Sequence, residues 1–421
     1  MNRIHKVSTL AGILACSVAP VFAENGPITL GHISPQTGPY SHFGPHFDGA
    51  IDFTLDIINE NPPLGRPIEA IHADFGTLGE GPVARRLVDS DNVDILFNLA
   101  HGYESYRDWI IGYVAENGRP MMPSVHAGSQ KSAYGGTEIE PLFRGSPMDT
   151  AQATAVVLYA KELGANSVVI IASEDAGMQM SQDAAIEAAE LLGMEVLGEI
   201  DIQTQQTSYR SEAARANSLK PDAMLVFAQA EEGGILVKNS AELGLSATFI
   251  GEPNWLADEF PRTATMGAID RQNGVYIVGY SHADGEAWDY FSEKWEGSSY
   301  ADLSPAGDSY TMQMYDLLNV TALAIEAAGS TNAQDWANTV RDVSMAPGQK
   351  VYNYTDAITA LRAGKEIDYE GVTGTYDYND TGVVSGQFAS FSWNSPTEWD
   401  LVTLLDGPSV LELNSQLTID P

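Results

Sequence analysis

The feature that constrains this chain most is an alternation of strands and helices that repeats along most of its length. Ile28–Ser34 is a short apolar run that ends before Pro35, and residues 44–59 then place apolar side chains at helical spacing. Strands of the same kind are predicted at 93–99 and 167–172, and each is followed by another helical pattern. Because parallel strands joined by helices form a sheet covered on both faces, the alternation predicts an α/β fold.

The alternation runs in two successive blocks, and the second block begins after Arg144. No low-complexity linker separates the blocks, so the pattern predicts two doubly wound α/β lobes joined by a hinge that the chain crosses several times. We assign residues 24–145 and 275–385 to the first lobe. Residues 146–274 and 386–421 are assigned to the second lobe.

The N-terminal segment has the pattern of a secretory signal peptide. A basic start up to Lys6 precedes an apolar stretch at 7–18, and Val21-Phe22-Ala23 offers a small-residue cleavage site. We therefore expect residues 1–23 to be removed and the mature protein to be periplasmic. The single cysteine, Cys16, follows Ile-Leu-Ala and offers an alternative, a lipid-anchored form.

Acidic residues strongly outnumber basic ones. The chain has 57 Asp and Glu against 21 Lys and Arg, and its formal net charge is −36. Such a field repels nucleic acid and anionic membranes, whose binding requires clustered cations, so we predict no nucleic-acid partner. The acidic surplus has two interpretations: a surface suited to a salty medium, or attraction of a cationic ligand.

One glycine-rich segment matches a nucleotide-binding pattern in part. Gly79-Glu80-Gly81-Pro82-Val83-Ala84 has the form G-x-G-x-x-A between a strand and a helix. However, it follows the second predicted strand, not the first, and Pro82 removes a backbone amide that would face a pyrophosphate. The segment therefore predicts the entry of a helix, and we predict no cofactor.

Catalytic and metal-binding patterns do not stand out. The chain lacks a G-x-S-x-G nucleophile motif, and its one cysteine lies in the predicted signal peptide, so a periplasmic enzyme on a two-lobed scaffold finds no support. His42, His46, His101 and His126 are candidate zinc ligands, but Pro45 interrupts the helix that the His42–His46 spacing requires. We predict a binding protein without a metal.

Several short sequence segments, taken in order, resemble those of the type I periplasmic binding proteins for branched-chain amino acids, amides and urea. Ile28-Thr-Leu-Gly-His-Ile-Ser-Pro-Gln-Thr-Gly38 is similar to the opening strand and loop of that family. Phe47-Asp-Gly-Ala50 and Ala84-Arg-Arg-Leu-Val88 are similar to its first two helices. The glycine-containing segments 367–374 and 376–382 are similar to its late β-rich region.

The resemblance implies a function without chemistry. A small polar ligand, an amino acid or a similar amide or carboxylate, binds between the lobes, which close around it. The protein then delivers this ligand to the membrane permease subunits of an ABC transporter. Alternatives within the same fold are a ligand-sensing periplasmic receptor and a binder of aromatic carboxylates or urea-like amides.

The resemblance also assigns ligand contacts to four loops. The loop after the third strand, which includes Ser105, is expected to contact a ligand carboxylate. In the next loop His126, beside Ala127, stands where the family has Thr, so this loop departs from the family's standard carboxylate site. In the second lobe, Asp175 belongs to a ligand loop, and Glu252 matches the residue that binds the ligand ammonium.

Four aromatic side chains are further candidates for the walls of the site. Tyr40, Tyr103, Trp255 and Tyr310 lie in or next to the loops that the resemblance brings to the cleft. An aromatic residue in a chain of this kind belongs to the core more often than to a pocket. Their positions therefore depend on the tertiary structure.

Overall fold

The computed structural model describes residues 26–38, 40–98, 101–125 and 134–419. Within these ranges the chain forms two α/β lobes, as the strand–helix alternation predicts. Among the described residues, no helix combines the length and the apolar character needed to cross a bilayer.

The first lobe contains the N-terminal half of the alternation and a later helical block. Its first segment comprises β1 (Ile28–Ser34), α1 (Gly44–Ile58), β2 (Ile68–Asp74), α2 (Glu80–Arg85, continued as a wider turn to Ser90), β3 (Ile95–Phe97), α3 (Arg107–Asn117), β4 (Met122–Ser124) and β5 (Leu142–Arg144). Its second segment comprises α10 (Glu286–Glu296), α11 (Ser309–Ala328), α12 (Ala333–Ser344), β11 (Gln349–Val351), α13 (Tyr354–Arg362), β12 (Ile367–Gly371) and β13 (Gly374–Thr375).

The second lobe is built around one seven-stranded sheet. Its elements are α4 (Asp149–Glu162), β6 (Ser167–Ser173), α5 (Ala176–Leu191), β7 (Glu195–Ile202), α6 (Arg210–Ser218), β8 (Ala223–Phe227), α7 (Ala230–Glu242), β9 (Thr248–Gly251), α8 (Glu259–Ala264), α9 (Met266–Ile269), β10 (Gly274–Ser281), β14 (Gln387–Trp393), β15 (Trp399–Leu404) and α14 (Gly407–Asn414). Short 3₁₀ turns occupy Pro63–Gly65, His101–Ser105 and Pro253–Leu256.

The two sheets are mostly parallel. In the first lobe β1 lies between β2 and β3, and β4 and β5 continue the sheet through a hydrogen bond from the Leu96 amide to the Met121 carbonyl at 2.8 Å. In the second lobe the strand order is β15-β14-β10-β9-β8-β6-β7, and only β14 and β15 run antiparallel to their neighbours.

Alternate residues of each central strand point to opposite faces, which explains why both faces of the second sheet are covered. On β6, Val168 and Ile170 belong to the core formed with α4, α5 and α14, whereas Val169 and Ile171 belong to the core formed with α6, α7 and α8. This two-sided burial accounts for the near-continuous apolar strands of the sequence.

The structure corrects one predicted boundary between the lobes. The alternation places residues from 275 onward in the first lobe, but β10 pairs with β9 and β14 in the second sheet. The crossing therefore falls after Ser281. The error arose because β10 completes the second sheet before the chain returns, and sequence order alone does not reveal which sheet a strand joins.

The crossing segments lie against one another. At the end of β5, the Arg144 amide donates to the Gly382 carbonyl, and the Val384 amide donates to the Arg144 carbonyl at 3.3 Å. The Arg144 guanidinium is buried and donates to the Pro147 carbonyl at 2.8 Å and to Asp149 Oδ1 at 2.9 Å. Backbone and side chain thus anchor the hinge at its centre.

Candidate functional site

A cavity of about 210 Å³ lies between the lobes, and both contribute to its walls. We call it the interlobe cavity. The first lobe supplies Pro35, Tyr40, Phe43, Phe47, Phe75, Glu80, Asn98 and Tyr310. The second lobe supplies Asp149, Gln152, Asp175, Gly177, Met178, Ser181, Gln229, Glu252, Pro253, Asn254 and Tyr280.

Four of the polar lining residues lie one or two positions after a parallel strand. Asn98 follows β3, Asp175 lies two residues after β6, and Gln229 and Glu252 follow β8 and β9. Because parallel strands carry their carboxyl ends to one edge of the sheet, these loops converge there. The fold therefore places side chains that are far apart in sequence on one surface.

The first-lobe wall is largely aromatic. The Tyr310 ring lies 5.4 Å from the rings of both Phe43 and Phe47, in edge-on contact with each. The Tyr310 hydroxyl donates to Asn254 Oδ1 at 3.0 Å and so joins α11 of the first lobe to the loop after β9 in the second. This part of the cavity suits an apolar group, and it also connects the two lobes.

The remaining wall is acidic. Of the four lining carboxylates, three have defined structural partners. Glu80 accepts from the Gly102 amide at 2.8 Å, Asp149 pairs with Arg144, and Asp175 caps α5 by accepting from the Met178 amide at 3.1 Å. None of the described lining residues is Lys or Arg.

Glu252 is the fourth lining carboxylate and differs from the others. It is 7% exposed, and its Oε1 atom has no hydrogen-bond partner. Burial raises the pKa of Glu252 well above its usual range, and the nearby charge of Asp175 adds to this increase. Burial, with the charges of Asp175, Glu232 and Glu252, also raises the pKa of Tyr40 to about 12.

The buried side-chain atoms of the cavity that lack a partner share one property. Within the described part of the chain they are all oxygens: Asn98 Oδ1, Gln152 Oε1, Gln229 Oε1 and Glu252 Oε1. A buried acceptor without a donor is unfavourable by about 1–3 kcal/mol. A ligand that donates hydrogen bonds to these oxygens would therefore be favoured in the cavity.

The structure brings four of the predicted site residues together and separates three others. Tyr40, Asp175, Glu252 and Tyr310 line the interlobe cavity. Tyr103, Ser105 and Trp255 do not. His126 and Ala127 lie outside the described residues.

The three separated residues have structural roles. Tyr103 is buried in the first-lobe core and donates to Glu140 Oε1 at 2.7 Å. Trp255 is buried against Phe260, with ring centroids 4.4 Å apart, and its indole nitrogen donates to the Ala228 carbonyl. Ser105 is exposed, and its hydroxyl donates to the Gly102 carbonyl at 2.7 Å. Local packing and turn geometry thus account for all three.

Sequence reasoning missed several lining residues, and for some of them a signal existed. Asn98 and Gln229 lie one or two residues after a strand, much as Glu252 does, so the same rule would have selected them. Glu80 lies in the segment interpreted as a helix entry; α2 does begin there, and its carboxylate binds the Gly102 amide. Gln152 lies inside α4, where nothing in the sequence marks it as facing the cavity.

Comparison with known proteins agrees with this architecture. Residues 27–395 match the family described as periplasmic binding protein. A Leu/Ile/Val-binding protein of Rhizobium johnstonii is 24% identical over 394 residues, which cover 92% of this chain and 98% of that protein.

Two solved structures show the same fold. A leucine-binding protein of Thermotoga maritima superposes with a TM-score of 0.72 at 18% identity, covering 91% of this chain and 99% of that chain. A solute-binding protein of R. palustris in complex with benzoate gives a TM-score of 0.69 at 17% identity, covering 90% and 96%. The family match confirms the resemblance inferred from the sequence: the chain belongs to the periplasmic binding protein family, whose members bind solutes without converting them chemically.

Proposed function

We propose that this protein is the extracytoplasmic substrate-binding component of an ABC importer and that its ligand is a small amino acid or amine recognised through an ammonium group. The ligand binds between the lobes, and the closed protein delivers it to the membrane permease subunits. The relatives support the transport role, since one is named for binding Leu, Ile and Val and another is a solute-binding protein of an ABC transporter.

The observation that carries the ammonium assignment is the unpartnered Oε1 atom of Glu252 in a wall of carboxylates. An ammonium has three N–H donors and a positive charge. It can therefore donate a hydrogen bond to Glu252 Oε1 and balance the negative charge of the lining carboxylates. The amide oxygens of Gln152 and Gln229 supply further acceptors for those donors. A ligand carboxylate placed beside Glu252 and Asp175 would instead meet like charges.

The rest of the ligand is proposed to be apolar. Phe43, Phe47 and Tyr310 offer ring faces and edges on the opposite wall. Rings of this kind bury apolar surface and also attract cations. A cation over a ring face is stabilised by roughly 0.5–2 kcal/mol. A hydrophobic amino acid or an aryl- or alkylamine combines both properties.

A neutral urea-like amide is a second candidate, favoured by the same unpartnered oxygens. Its N–H groups would satisfy Asn98, Gln152 and Gln229, and Glu252 would remain protonated. An aromatic carboxylate, as in the benzoate complex of the related protein, finds no such support in the acidic wall.

A panel of matched compounds separates these candidates. Mature protein that has been unfolded and refolded to remove bound solute is titrated by calorimetry with leucine, isoamylamine, 4-methylvalerate, urea and benzoate. The same design is repeated with phenylalanine, phenethylamine and phenylpropionate. We expect the compounds with an ammonium group to bind and the deaminated acids not to bind. Binding of benzoate or of a deaminated acid, with no binding of its amine, would contradict the proposal.

Two matched variants then test the role of Glu252. Removing one member of a buried charge pair is unfavourable by about 2–5 kcal/mol, so Glu252→Gln is expected to weaken the ammonium ligand at least about ten-fold. Glu259→Gln is the control, since that carboxylate pairs with Arg262 on α8 and does not line the cavity. Equal affinity of the wild type and Glu252→Gln would remove Glu252 from the site.

A further inference from the structure

A second cluster of side chains, separate from the lining of the interlobe cavity, has the geometry of a metal centre. His32 on β1 and His72 on β2 are register partners, so their side chains leave the same face of the first sheet. Asp48 on α1, which covers that face, points its carboxylate at both rings. We call this the His–Asp triangle.

The three atoms that converge are almost equally spaced. The two Nδ1 atoms of His32 and His72 are 3.0 Å apart. Asp48 Oδ1 lies 3.0 Å from the first of these nitrogens and 3.1 Å from the second. We propose that the His–Asp triangle binds a divalent first-row transition metal ion through His32 Nδ1, His72 Nδ1 and Asp48 Oδ1.

Hydrogen bonding alone does not account for this arrangement. Each Nδ1 atom carries at most one hydrogen and an ionised carboxylate carries none, so at most two of the three contacts are hydrogen bonds. The third contact then brings together two donors or two lone pairs at about 3 Å. A cation removes the conflict, because each of the three atoms can then offer it a lone pair.

The dimensions fit such an ion. An ion about 2.1 Å from all three atoms, a usual length for bonds from Zn²⁺ to imidazole nitrogen and carboxylate oxygen, lies roughly 1.2 Å from the plane of the triangle. The angles between these bonds are then roughly 90°, which corresponds to one face of an octahedron. Two histidines and one carboxylate in a facial arrangement leave open positions for water.

The three proposed ligand side chains also make hydrogen bonds to residues outside the triangle, as metal ligands commonly do. His72 Nε2 donates to Asp52 Oδ1 at 3.1 Å, which leaves its Nδ1 lone pair free to bind an ion. Ser34 Oγ donates to Asp48 Oδ1 at 2.8 Å, and Gln36 Nε2 donates to Asp48 Oδ2 at 2.9 Å. These contacts fix the orientation of the carboxylate.

The last outer contact links the triangle to the interlobe cavity. The amide of Asn98 lies 3.3 Å from His32 Nε2, and Asn98 also lines the cavity. When His32 Nδ1 binds an ion, its hydrogen resides on Nε2 and requires an acceptor. A half-turn of the Asn98 amide supplies its Oδ1 atom, which otherwise has no partner. Solvent reaches the triangle at His72 and Asp48, whose side chains are 19% and 23% exposed.

The test uses the mature protein after treatment with EDTA and dialysis. Calorimetric titration with ZnCl₂ and CoCl₂ is expected to show one saturable site that a further addition of EDTA empties. His72→Ala and Asp48→Asn are expected to weaken this site at least about 100-fold, and Asp52→Asn about 10- to 100-fold, since the last removes only an outer partner. Melting without metal checks that each variant is folded.

His282→Ala is the matched control. That histidine also lies beside a single aspartate, with Nδ1 3.5 Å from Asp284 Oδ1, but it belongs to no cluster of potential metal ligands in the described part of the chain. Its removal is expected to leave Zn²⁺ affinity unchanged. The proposal is overturned if the wild type shows no saturable one-to-one binding of either ion. It is equally overturned if folded His72→Ala, Asp48→Asn and Asp52→Asn bind Zn²⁺ as the wild type does.

Discussion

At the scale of single residues, Glu252 determines the character of the interlobe cavity. Its carboxyl group is buried, and burial together with the charge of Asp175 raises its pKa. The titratable groups that interact electrostatically with it come from both lobes: Tyr40, Asp149, Asp175, Tyr280 and Tyr310. In the absence of ligand, this surrounding favours the protonated form of Glu252.

Binding of an ammonium ligand is therefore expected to release a proton from Glu252. The cation stabilises the ionised carboxylate and lowers the pKa of Glu252 in the complex. Affinity then rises with pH up to the raised pKa of the free protein and is level above it. Calorimetry at one pH near that pKa, in phosphate and in Tris, should give different binding heats because each buffer takes up the proton with its own enthalpy.

Glu252→Gln provides the control for proton release, since glutamine does not titrate. Its residual binding heat should be the same in both buffers. Equal heats for the wild type at every pH tested would contradict proton release and would favour a neutral amide ligand, beside which Glu252 stays protonated.

At the scale of elements, one buried carboxylate joins a helix to a hairpin. Asp316 on α11 accepts from the amides of Val372 and Thr373 at 3.0 and 2.9 Å, and from the hydroxyls of Thr373 and Tyr369 at 2.8 and 3.0 Å. Gly371 is required beside it, because a Cβ atom there would lie 2.5 Å from Asp316 Oδ2. Burial raises the pKa of Asp316 to about 6, while the four donors favour its ionised form.

Asp316→Asn is expected to destabilise the protein by about 2–4 kcal/mol, since an amide replaces one acceptor oxygen with a donor that faces other donors. Urea denaturation at pH 7.5 measures this change in the free energy of unfolding. Asp342→Asn is the control: this residue is exposed on α12, and its substitution should stay within about 0.5 kcal/mol of the wild type. A loss below 0.5 kcal/mol for Asp316→Asn would show that the hairpin does not depend on this carboxylate.

At the scale of the whole molecule, the lobes meet around the interlobe cavity and the chain crosses between them three times. The net charge of −36 creates a field that attracts cations, which agrees with the ammonium proposed for the ligand. The hydrogen bond from Tyr310 to Asn254 connects the lobes at the cavity itself. It therefore favours the closed arrangement.

Tyr310→Phe is expected to shift the ligand-free protein toward an open arrangement. The substitution removes the hydroxyl but keeps the ring against Phe43 and Phe47, and a hydrogen bond contributes about 1 kcal/mol, or roughly five-fold in the open-to-closed ratio. Small-angle scattering should give a larger radius of gyration for ligand-free Tyr310→Phe than for the wild type, and saturating ligand should reduce both.

Tyr300→Phe is the matched control for lobe closure, because the Tyr300 hydroxyl donates to Asp56 within the first lobe. It should leave the radius of gyration unchanged. If Tyr310→Phe and Tyr300→Phe scatter alike, with and without ligand, the bond from Tyr310 to Asn254 does not govern closure.

The amino-acid sequence alone accounts for the strand–helix order, because apolar spacing follows directly from helix and strand geometry. It also determined that Glu252 reaches the cavity, since a residue just after a parallel strand is carried to the carboxyl edge of the sheet. The order of short sequence segments was enough to identify the family, and the match of residues 27–395 to the family confirms that assignment.

Which side chains meet depends instead on the three-dimensional fold. Tyr103 and Trp255 carry the same kind of aromatic group as Tyr310, but only Tyr310 lines the cavity, because burial depends on packing by distant elements. His32 and His72 are forty residues apart, and they converge because β1 pairs with β2 in one register. Contacts of this kind depend on strand register and helix packing, which local sequence patterns do not specify.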